Sequence, residues 1–395
     1  MLEGVNVALG VSGSIAAVKV VELAHELRRH GARVRGVMTP AAQGIIHPWA
    51  LEFATERDVV TEITGRVEHV ELCGREGWAD VLLLAPATAN TVGKVASAVD
   101  DTPVTTCATT ALGAGLPVVC APAMHEPMYD HPGVSEALDK LTEWGVSFVD
   151  PRVEEGKAKI ATEDAIVTGV ARAVSPRTLD GRHVVVTAGA TAEPLDPVRL
   201  LTNRSSGKMG RALARTCHVQ GADVTLVHGT GSTKPEVDTH YADVEWVETG
   251  EEMLAATLDA CETADALASA AAISDFTLET ASEKIRSGEA RTLDLEPAPK
   301  LLDSVRERYP DLTIVGFKTE TSGDDEAMAA AARRIMSRSR LAFVVANDAS
   351  VMGETETRAL VVDADDADAF TGSKLALSER IVEALVGVLP NGPVS

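Results

Sequence analysis

The chain has 395 residues and a formal charge of −23, from 59 acidic and 36 basic residues. Its length suits two or three domains. The excess of acidic residues excludes a general nucleic-acid-binding surface, because a negatively charged surface repels the phosphates of nucleic acid. The five cysteines stand singly, with no Cys-x-x-Cys pair and no nearby histidine cluster, which argues against structural zinc and a disulfide framework.

The N-terminus runs directly into an alternating strand pattern, and no stretch of 18 apolar residues occurs. We therefore expect a cytoplasmic protein that does not bind a membrane. Two interpretations of the acidic surface stay open. It is either that of an ordinary acidic enzyme or an adaptation to high salt, where screening makes a carboxylate-rich surface tolerable. The second is favoured.

The first half of the chain alternates short buried strands with helices. An apolar stripe at helical spacing runs from Ala16 to Leu27, and Gly31 ends that helix. The alternation predicts a doubly wound parallel sheet. Its strands are predicted at Val5–Leu9, Arg33–Val37, Val81–Ala85, Pro117–Ala121 and Val146–Val149.

A turn-rich segment, residues 175–181, precedes a second half with the same alternation. A long loop is expected between Gly189 and a helix that begins near Gly207, an alanine-rich helix at Asp325–Ser337, and a solvated loop at the acidic run Asp363–Asp368. The sequence thus predicts an α/β protein with domains at 1–174 and 182–395. Strands of the second half are predicted at His183–Thr187, Val224–Val227, Ala266–Ala268, Thr313–Phe317, Phe343–Ala346 and Ala359–Val362.

The segment Gly10–Ile15 follows the first strand and opens a helix, so its backbone N–H groups could meet an anion. It lacks the spacing of the dinucleotide fingerprint, and a tight turn that needs glycine for its backbone alone explains it equally well. Small hydroxyl or amide residues also follow three other predicted strands, at Thr39, Thr88–Asn90 and Thr105–Thr106. Carboxyl ends of parallel strands converge on one crevice. One phosphate among hydroxyls fits flavin mononucleotide (FMN) better than a dinucleotide.

Two histidines near this crevice are candidates for chemistry. His69 lies on an amphipathic segment before the third strand, and His125 lies in the loop Ala121–Tyr129. Each has a plain alternative, because a lone histidine is more often structural or on the surface, and the prolines beside His125 shape a turn by themselves.

Together these residues resemble the flavin-dependent cysteine decarboxylases, specifically the phosphopantothenoylcysteine decarboxylase domain, over nearly all of residues 1–174. The resemblance implies that a bound flavin oxidises the cysteine side chain, which eases loss of its carboxylate, and then returns the electrons. The matching stretches are 13–17, 38–39, 68–72, 78–80, 85–90, 100–101 and 122–124. The site residues that it implies are a catalytic His69, substrate contacts from Met124 and His125, and FMN contacts from Gly13, Ser14, Thr39, Thr88, Asn90 and Thr105.

The chain departs from that family at two points. The family has asparagine after Pro-Ala-Met, where this chain has His125, which could still hold a substrate carboxylate by a charge-assisted hydrogen bond. The bacterial pattern also has a flap cysteine that donates a proton in the reductive step. The corresponding segment is 155–161, and no cysteine occurs between Cys120 and Cys217. The proton donor is therefore unassigned.

A second set of glycines and hydroxyls, at Thr187–Thr191 and Asn203–Gly210, precedes a helix and predicts another anion site. It is not a Walker A loop, because Met209 follows the Gly-Lys pair and the first glycine is missing. Asn203 taken alone is most simply a turn residue. The segment Ser269–Asp275 brings a carboxylate just after a strand end.

Cations for this second site are scarce in a sequence with 11 lysines. Lys284 and Arg286 supply two. Arg334 and Arg338 fall four apart on the alanine-rich helix, so they share one face, and either clamp a polyphosphate or form a solvated helix face.

This half resembles phosphopantothenate–cysteine ligase along its whole length, most specifically through Asn203–Gly210. In members fused to the decarboxylase the family implies CTP, with Mg²⁺: the carboxylate of phosphopantothenate becomes an acyl-cytidylate, and the cysteine amine displaces CMP. The family more often has lysine at the two arginine positions. Other matching stretches are 196–199, 271–275, 316–317, 320–321 and 346–348. The implied residues are catalytic Asn203 and Lys284, and CTP contacts at Ser269, Ala270, Ala271, Asp275, Lys284, Phe317, Arg334 and Arg338.

The two resemblances describe consecutive steps of coenzyme A biosynthesis on one chain, with ligation first and decarboxylation to 4'-phosphopantetheine second. They imply two Rossmann-like, three-layer domains and a homo-oligomer, namely a dodecamer built from decarboxylase trimers and ligase dimers. Alternatives are an active ligase whose first half is a disabled relic or a flavin-holding regulatory or assembly module. A flavin prenyltransferase-like activity would leave the ligase motifs unexplained.

Overall fold

The computed structural model describes residues 1–154, 157–288, 290, 292–320, 324–348 and 356–390. The chain divides into two compact units, Met1–Pro176 and Arg177–Ser395. This division falls within the expected linker, and Leu179 is already buried in the core of the second unit. The domain bounds 1–174 and 182–395 stay predictions. Among the described residues, no helix is both long and apolar enough to cross a membrane.

The first unit contains a parallel sheet, a small antiparallel sheet and helices. Its strands are β1 Asn6–Val11, β2 Arg33–Met38, β3 Val81–Ala87, β4 Val118–Pro122, β5 Met124–His125, β6 Ser147–Phe148, β7 Arg152–Glu154 and β8 Lys157–Lys159. Its helices are a 3₁₀ helix Ile15–Lys19, α1 Val20–Arg29, α2 Pro40–Gln43, α3 Pro48–Thr55, α4 Glu68–Cys73, α5 Ala89–Ala96, α6 Pro103–Ala114, α7 Glu126–Tyr129, α8 Pro132–Glu143 and α9 Glu163–Val174.

The main sheet has the order β2-β1-β3-β4-β6 with all neighbours parallel, which confirms the prediction. Its strands are buried because residues on both faces meet helices, so they are apolar almost throughout. Helix α1 buries Val20, Leu23, Ala24 and Leu27, as the apolar stripe predicts. Ala16 is only half-buried, because the chain there forms the 3₁₀ helix, which buries Ala17.

The second unit is built on one large sheet. Its strands are β9 His183–Ala188, β10 Ala192–Asp196, β11 Arg199–Thr202, β12 Asp223–Gly229, β13 Asp243–Val247, β14 Ala266–Ser269, β15 Phe276–Thr277, β16 Glu296–Pro297, β17 Thr313–Glu320, β18 Phe343–Asp348, β19 Glu356–Val362 and β20 Ala367–Ser373. Its helices are α10 Lys208–Val219, α11 Gly250–Ala260, α12 Leu301–Arg308, α13 Asp325–Ser339 and α14 Lys374–Val388.

This sheet has the order β13-β12-β9-β14-β17-β18-β19-β20, and only β19 and β20 run antiparallel to their neighbours. Helices α10 and α14 cover one face, and α11, α12 and α13 cover the other, each over its own apolar core. The unit is thus a three-layer α/β domain with a mostly parallel sheet, as predicted.

One loop prediction in this unit needs correction, and a second holds for residues 363–366, which are exposed and lie between two strands. The expected long loop after Gly189 contains the hairpin β10–β11, whose alternation is hidden by Pro194 and Pro197. The acidic run is a tight hairpin turn, because the Asp363 carboxylate accepts the N–H groups of Asp365 and Asp366, at 2.9 and 2.7 Å. Asp368 already lies on β20.

Candidate active sites

The turn after β1 is tied to the turns after β3 and β4. The buried Ser12 hydroxyl donates to the carbonyl of Pro86, at 2.7 Å, and accepts the N–H of Thr88, at 3.0 Å. Ser14 caps the 3₁₀ helix, and its hydroxyl donates to the carbonyl of Ala123, at 3.3 Å. Three strand ends therefore meet at one crevice, as the sequence predicts, and Ser12 is a residue that the sequence analysis did not single out.

The hydroxyls predicted around this crevice serve first as helix caps. Thr39 accepts the N–H of Ala42, at 3.1 Å, and Thr88 accepts the N–H of Thr91, at 3.2 Å. Asn90, in the first turn of α5, is exposed. These caps begin two helices at the carboxyl edge of the sheet, where the N–H groups of a first helical turn favour an anion.

Thr105 does not follow a strand, contrary to the expectation. It lies in the first turn of α6 and forms a capping box with Thr102: each side chain accepts the other's backbone N–H, at 3.2 and 3.0 Å. The Thr-Pro pair before it is the local signal of a helix start. The same turn nevertheless packs against β1, since a Cβ on Gly10 would lie 3.2 Å from Cγ1 of Val104.

His69 lies in the first turn of α4. It is half-buried, and its Nδ1 atom is fully buried without a hydrogen-bond partner in the part of the chain that the structure describes. The turn is held by Glu68, whose carboxylate accepts the Thr64 hydroxyl and, at 2.8 Å, the Thr64 N–H. The Thr64 hydroxyl and N–H lower the pKa of Glu68 to about 2. An orphaned buried nitrogen in a rigid turn indicates a group that a ligand is to contact.

Met124 and His125 form β5, which pairs with β8, which in turn pairs with β7. Met124 is opposite Ala158, and His125 is opposite Lys157, so the segment expected as the flap lies beside the expected substrate residues. The His125 side chain is exposed. Glu155 and Gly156 lie outside the described residues. All five cysteines are buried, and none lies on these three strands.

In the second unit, a pocket opens at the carboxyl edge of the sheet on the side of α10 and α14. Residues 205–210 and 270–272 line it, together with Phe317, Asn347 and Lys374. It therefore includes Ala270, Ala271 and Phe317 of the expected nucleotide contacts. Ser269 is the last residue of β14, directly behind them.

Hydrogen bonds tie the loops of this pocket together. The Thr187 hydroxyl accepts the N–H of Ala271, at 3.1 Å, so the ends of β9 and β14 are joined. The Asn203 carboxamide donates to the carbonyl of Ala272, at 2.8 Å, and accepts the N–H of Ser205, at 2.9 Å. Asn203 is thus the link between the glycine-rich loop and the loop after β14.

The segment that carries Lys284 is anchored by a buried carboxylate. Asp196 accepts the N–H of Ile285, at 3.0 Å, and the guanidinium of Arg199, which also donates to the carbonyl of Ile285, at 2.6 Å. The Arg199 guanidinium, with these N–H groups, holds the pKa of Asp196 well below its usual range. The Lys284 side chain itself is exposed. In the sequence, Asp196 and Arg199 stood out only as the ends of the matching stretch Asp-Pro-Val-Arg, and their contact with Ile285 was not predicted.

Five of the expected nucleotide contacts do not line this pocket: Ser269, Asp275, Lys284, Arg334 and Arg338. The Asp275 carboxylate is exposed and pairs with Lys300, at 2.5 Å. Arg334 and Arg338 are exposed on α13, and Arg338 Nε lies 3.7 Å from Asp303 on α12. Helix α13 connects the carboxyl end of β17 to the amino end of the parallel strand β18. Its last turns, which carry the two arginines, therefore lie toward the amino edge of the sheet, away from the pocket. The structure therefore does not bring the two arginines to the pocket of this chain.

Two pocket residues were given no site role from the sequence: Asn347, which lies within the matching stretch 346–348, and Lys374. Oδ1 of Asn347 is buried without a hydrogen-bond partner among the described residues, so it leaves an acceptor that a ligand in this pocket could use. Lys374 begins α14, directly after the Ser373 cap, and joins Lys208 as a second cation of the pocket. The sequence signal that could have identified Lys374 is the Gly-Ser-Lys segment, in which Ser373 marks the start of a helix.

A parallel-sheet unit with a helix-opening turn, followed by an α/β unit with a glycine-rich pocket, defines a fused two-site enzyme. The family described as "Flavoprotein" matches residues 1–175, and "DNA/pantothenate metabolism flavoprotein C-terminal domain" matches residues 179–388. The chain is 47% identical over 393 residues to the coenzyme A biosynthesis bifunctional protein CoaBC of Thermococcus kodakarensis, with 98% of this chain and 96% of that one covered.

The CoaBC protein of Methanocaldococcus jannaschii is 35% identical over 387 residues, with 97% and 94% of the two chains covered. A solved structure, the FMN binding protein AtHal3, is 30% identical and covers 42% of this chain and 94% of its own, with a TM-score of 0.37. The chain belongs to the family of bifunctional coenzyme A biosynthesis proteins. It combines a phosphopantothenoylcysteine decarboxylase with a phosphopantothenate–cysteine ligase.

Proposed function

We propose that the first unit binds FMN at the crevice beside Gly13 and Ser14, with Thr39, Thr88 and Asn90 around it. The match to a flavoprotein family and the turn that suits one phosphate support this proposal. FMN supplies the oxidation of the substrate's cysteine side chain and the return of its electrons. The orphaned nitrogen of His69 contacts the substrate in this proposal.

His125, on β5 beside the expected flap, binds the substrate carboxylate before it is lost. We propose no cysteine as the proton donor of the reductive step, since all five cysteines are buried and none lies on β5, β7 or β8.

Changing Gly13 to Ala is expected to weaken flavin binding about tenfold or more. A Cβ at this position would lie 2.5 Å from Cβ of Ala41, so the turn would have to move; overpacking of this kind costs about 1–3 kcal/mol. Flavin absorbance after gel filtration measures the loss. The matched control is Gly93→Ala, where a Cβ meets nothing within 4 Å. If both variants retain equal flavin, the crevice beside Gly13 is not the flavin site.

We propose that the second unit uses CTP. The phosphopantothenate carboxylate attacks the α-phosphorus of CTP and releases pyrophosphate, and the cysteine amine then attacks the acyl carbon, loses a proton and releases CMP. The pocket beside Ala270, Ala271 and Phe317 supports this, because two lysines and the first N–H groups of α10 can meet phosphate there. Asn203 and Lys284 are the proposed catalytic residues. Ser269 and Asp275 remain proposed nucleotide contacts, whereas the positions of Arg334 and Arg338 do not support them in this chain.

Mg²⁺ in this proposal arrives with the triphosphate, since Mg²⁺ is commonly held by substrate phosphates and few carboxylates. No group of three or more His, Cys, Asp or Glu side chains suited to a metal occurs in the described ranges. We further propose a cytoplasmic homo-oligomer, a dodecamer by family resemblance, that is adapted to high salt.

Mass spectrometry of the products tests the whole proposal. Purified yellow protein in molar KCl receives 4'-phosphopantothenate, cysteine and Mg²⁺ with either CTP or ATP. We expect 4'-phosphopantetheine with CTP and much less with ATP. Accumulation of 4'-phosphopantothenoylcysteine alone would mean that the first unit is not a working decarboxylase, and equal product with ATP would contradict the choice of CTP.

A further inference from the structure

A buried arginine–histidine pair lies directly beneath the glycine-rich loop of the second unit. His228, on β12, is 1% exposed, and Arg211 is half-buried in the first turn of α10. Nη1 of Arg211 lies 2.8 Å from Nε2 of His228 and donates to the carbonyl of Ser206, at 3.0 Å. Nδ1 of His228 lies 2.7 Å from the carbonyl of Gly229. Because a carbonyl can only accept, Nδ1 carries the proton and Nε2 accepts from Arg211.

Close packing fixes the orientation of this imidazole. A Cβ on Gly189 would lie 2.9 Å from the ring, and a Cβ on Gly207 would lie 2.8 Å from Nε2, so His228 contacts both glycine turns of the pocket. The Trp246 ring lies 4.7 Å from it, centroid to centroid. Burial lowers the pKa of His228 to about 4, so the ring is neutral at neutral pH and can accept the guanidinium N–H.

The pair controls the direction of a peptide bond that lines the pocket. A trans peptide has its C=O and N–H on opposite sides, so holding the Ser206 carbonyl on Arg211 turns the N–H of Gly207 to the side away from the pair. Within the described part of the chain, the Arg211 guanidinium is hydrogen-bonded to the Ser206 carbonyl and to Nε2 of His228, both neutral, and to no carboxylate. Its charge therefore adds to the positive potential at the start of α10.

We propose that Arg211 and His228 are positioning residues of the ligase: His228 orients Arg211, and Arg211 holds the loop so that its N–H groups meet a phosphate of a bound substrate. This inference rests on the proposed function of the pocket. Neither side chain needs to touch the reacting atoms, and His228 acts only through Arg211.

Four variants of the full chain test this proposal. His228→Leu removes the acceptor, His228→Gln keeps one near the place of Nε2, Arg211→Met removes the donors, and the fourth variant combines His228→Leu with Arg211→Met. The KM and kcat of ligation are measured for CTP and 4'-phosphopantothenate, and calorimetry gives the Kd of each ligand.

We expect His228→Leu and Arg211→Met each to raise the KM and Kd of at least one phosphate ligand about tenfold, with a smaller change in kcat. His228→Gln should stay within about threefold of the wild type, and the double variant should be no worse than Arg211→Met, because the two residues act as a unit. Decarboxylation of supplied 4'-phosphopantothenoylcysteine, by the first unit, should be unchanged and so report an intact protein.

Equal losses in His228→Leu and His228→Gln, or additive losses in the double variant, would overturn the proposal, since a merely structural histidine predicts both. The calorimetric Kd values test the pair even in a protein that forms no product. A wild type that binds these ligands without ligating them would contradict the proposed ligation and leave the test of the pair intact.

Discussion

Replacing His69 by Asn is expected to reduce decarboxylation by about 10²–10⁴-fold if its ring exchanges a proton with the substrate that it is proposed to contact, the range typical of general acid–base catalysis. Asn keeps a polar atom near the place of Nδ1, which is buried and has no hydrogen-bond partner in the described ranges, but an amide cannot exchange a proton at neutral pH. Ligation should continue, so 4'-phosphopantothenoylcysteine should accumulate in the product spectrum. Flavin absorbance should be retained, because His69 lies on α4 and not in the turn after β1.

The matched control for this variant is His131→Asn. His131 is an exposed histidine of the same unit, where its ring accepts the N–H of Gly133 at 3.1 Å and caps α8. Asn is itself a good cap, so both activities should be unchanged. If the wild type binds flavin but does not decarboxylate the substrate, His69→Asn can have no effect. The first unit is then a regulatory or assembly module rather than a decarboxylase.

Replacing Asn203 by Ala is expected to reduce the rate of ligation by about 10²–10³-fold. Removing one group from a preorganised site that stabilises the charge of a transition state has an effect of this size. The carboxamide joins the carbonyl of Ala272 to the N–H of Ser205, so its removal releases the glycine-rich loop from the loop after β14. The kcat of CTP-dependent ligation and the release of pyrophosphate measure the effect. Decarboxylation of supplied 4'-phosphopantothenoylcysteine should be unaffected.

Thr233→Ala is the control for Asn203→Ala, because the Thr233 hydroxyl is exposed and, among the residues that the structure describes, bonds only to the carbonyl of the adjacent Ser232. It should leave ligation unchanged. If Asn203→Ala ligates at a rate within about threefold of the wild type, Asn203 is only a turn residue, as the sequence around it alone suggests. A rise in the KM of CTP with normal kcat would assign Asn203 to binding instead of the chemical step.

Local patterns in the sequence predicted all five strands of the first large sheet and six of the eight strands of the second, but they missed β13 and β20. The strand predicted at Val81–Ala85 is β3, and that predicted at Thr313–Phe317 is the first part of β17. Such strands are identified from short apolar runs between turn residues. Hairpin β10–β11 was missed because prolines interrupt its alternation, and Thr105 was assigned to a strand end although its capping box marks a helix start.

The sequence by itself determined the fold class, the two glycine-rich helix starts that are predicted to bind anions, and the family resemblance, because each depends on residues close together in the chain. Only the tertiary structure decided which distant residues share a pocket. It brought Asn347 and Lys374 to the glycine-rich loop, put Arg211 on His228, and left Arg334 and Arg338 outside. The physical reason is that strand order and helix direction, set by packing of the whole sheet, choose which strand ends become neighbours.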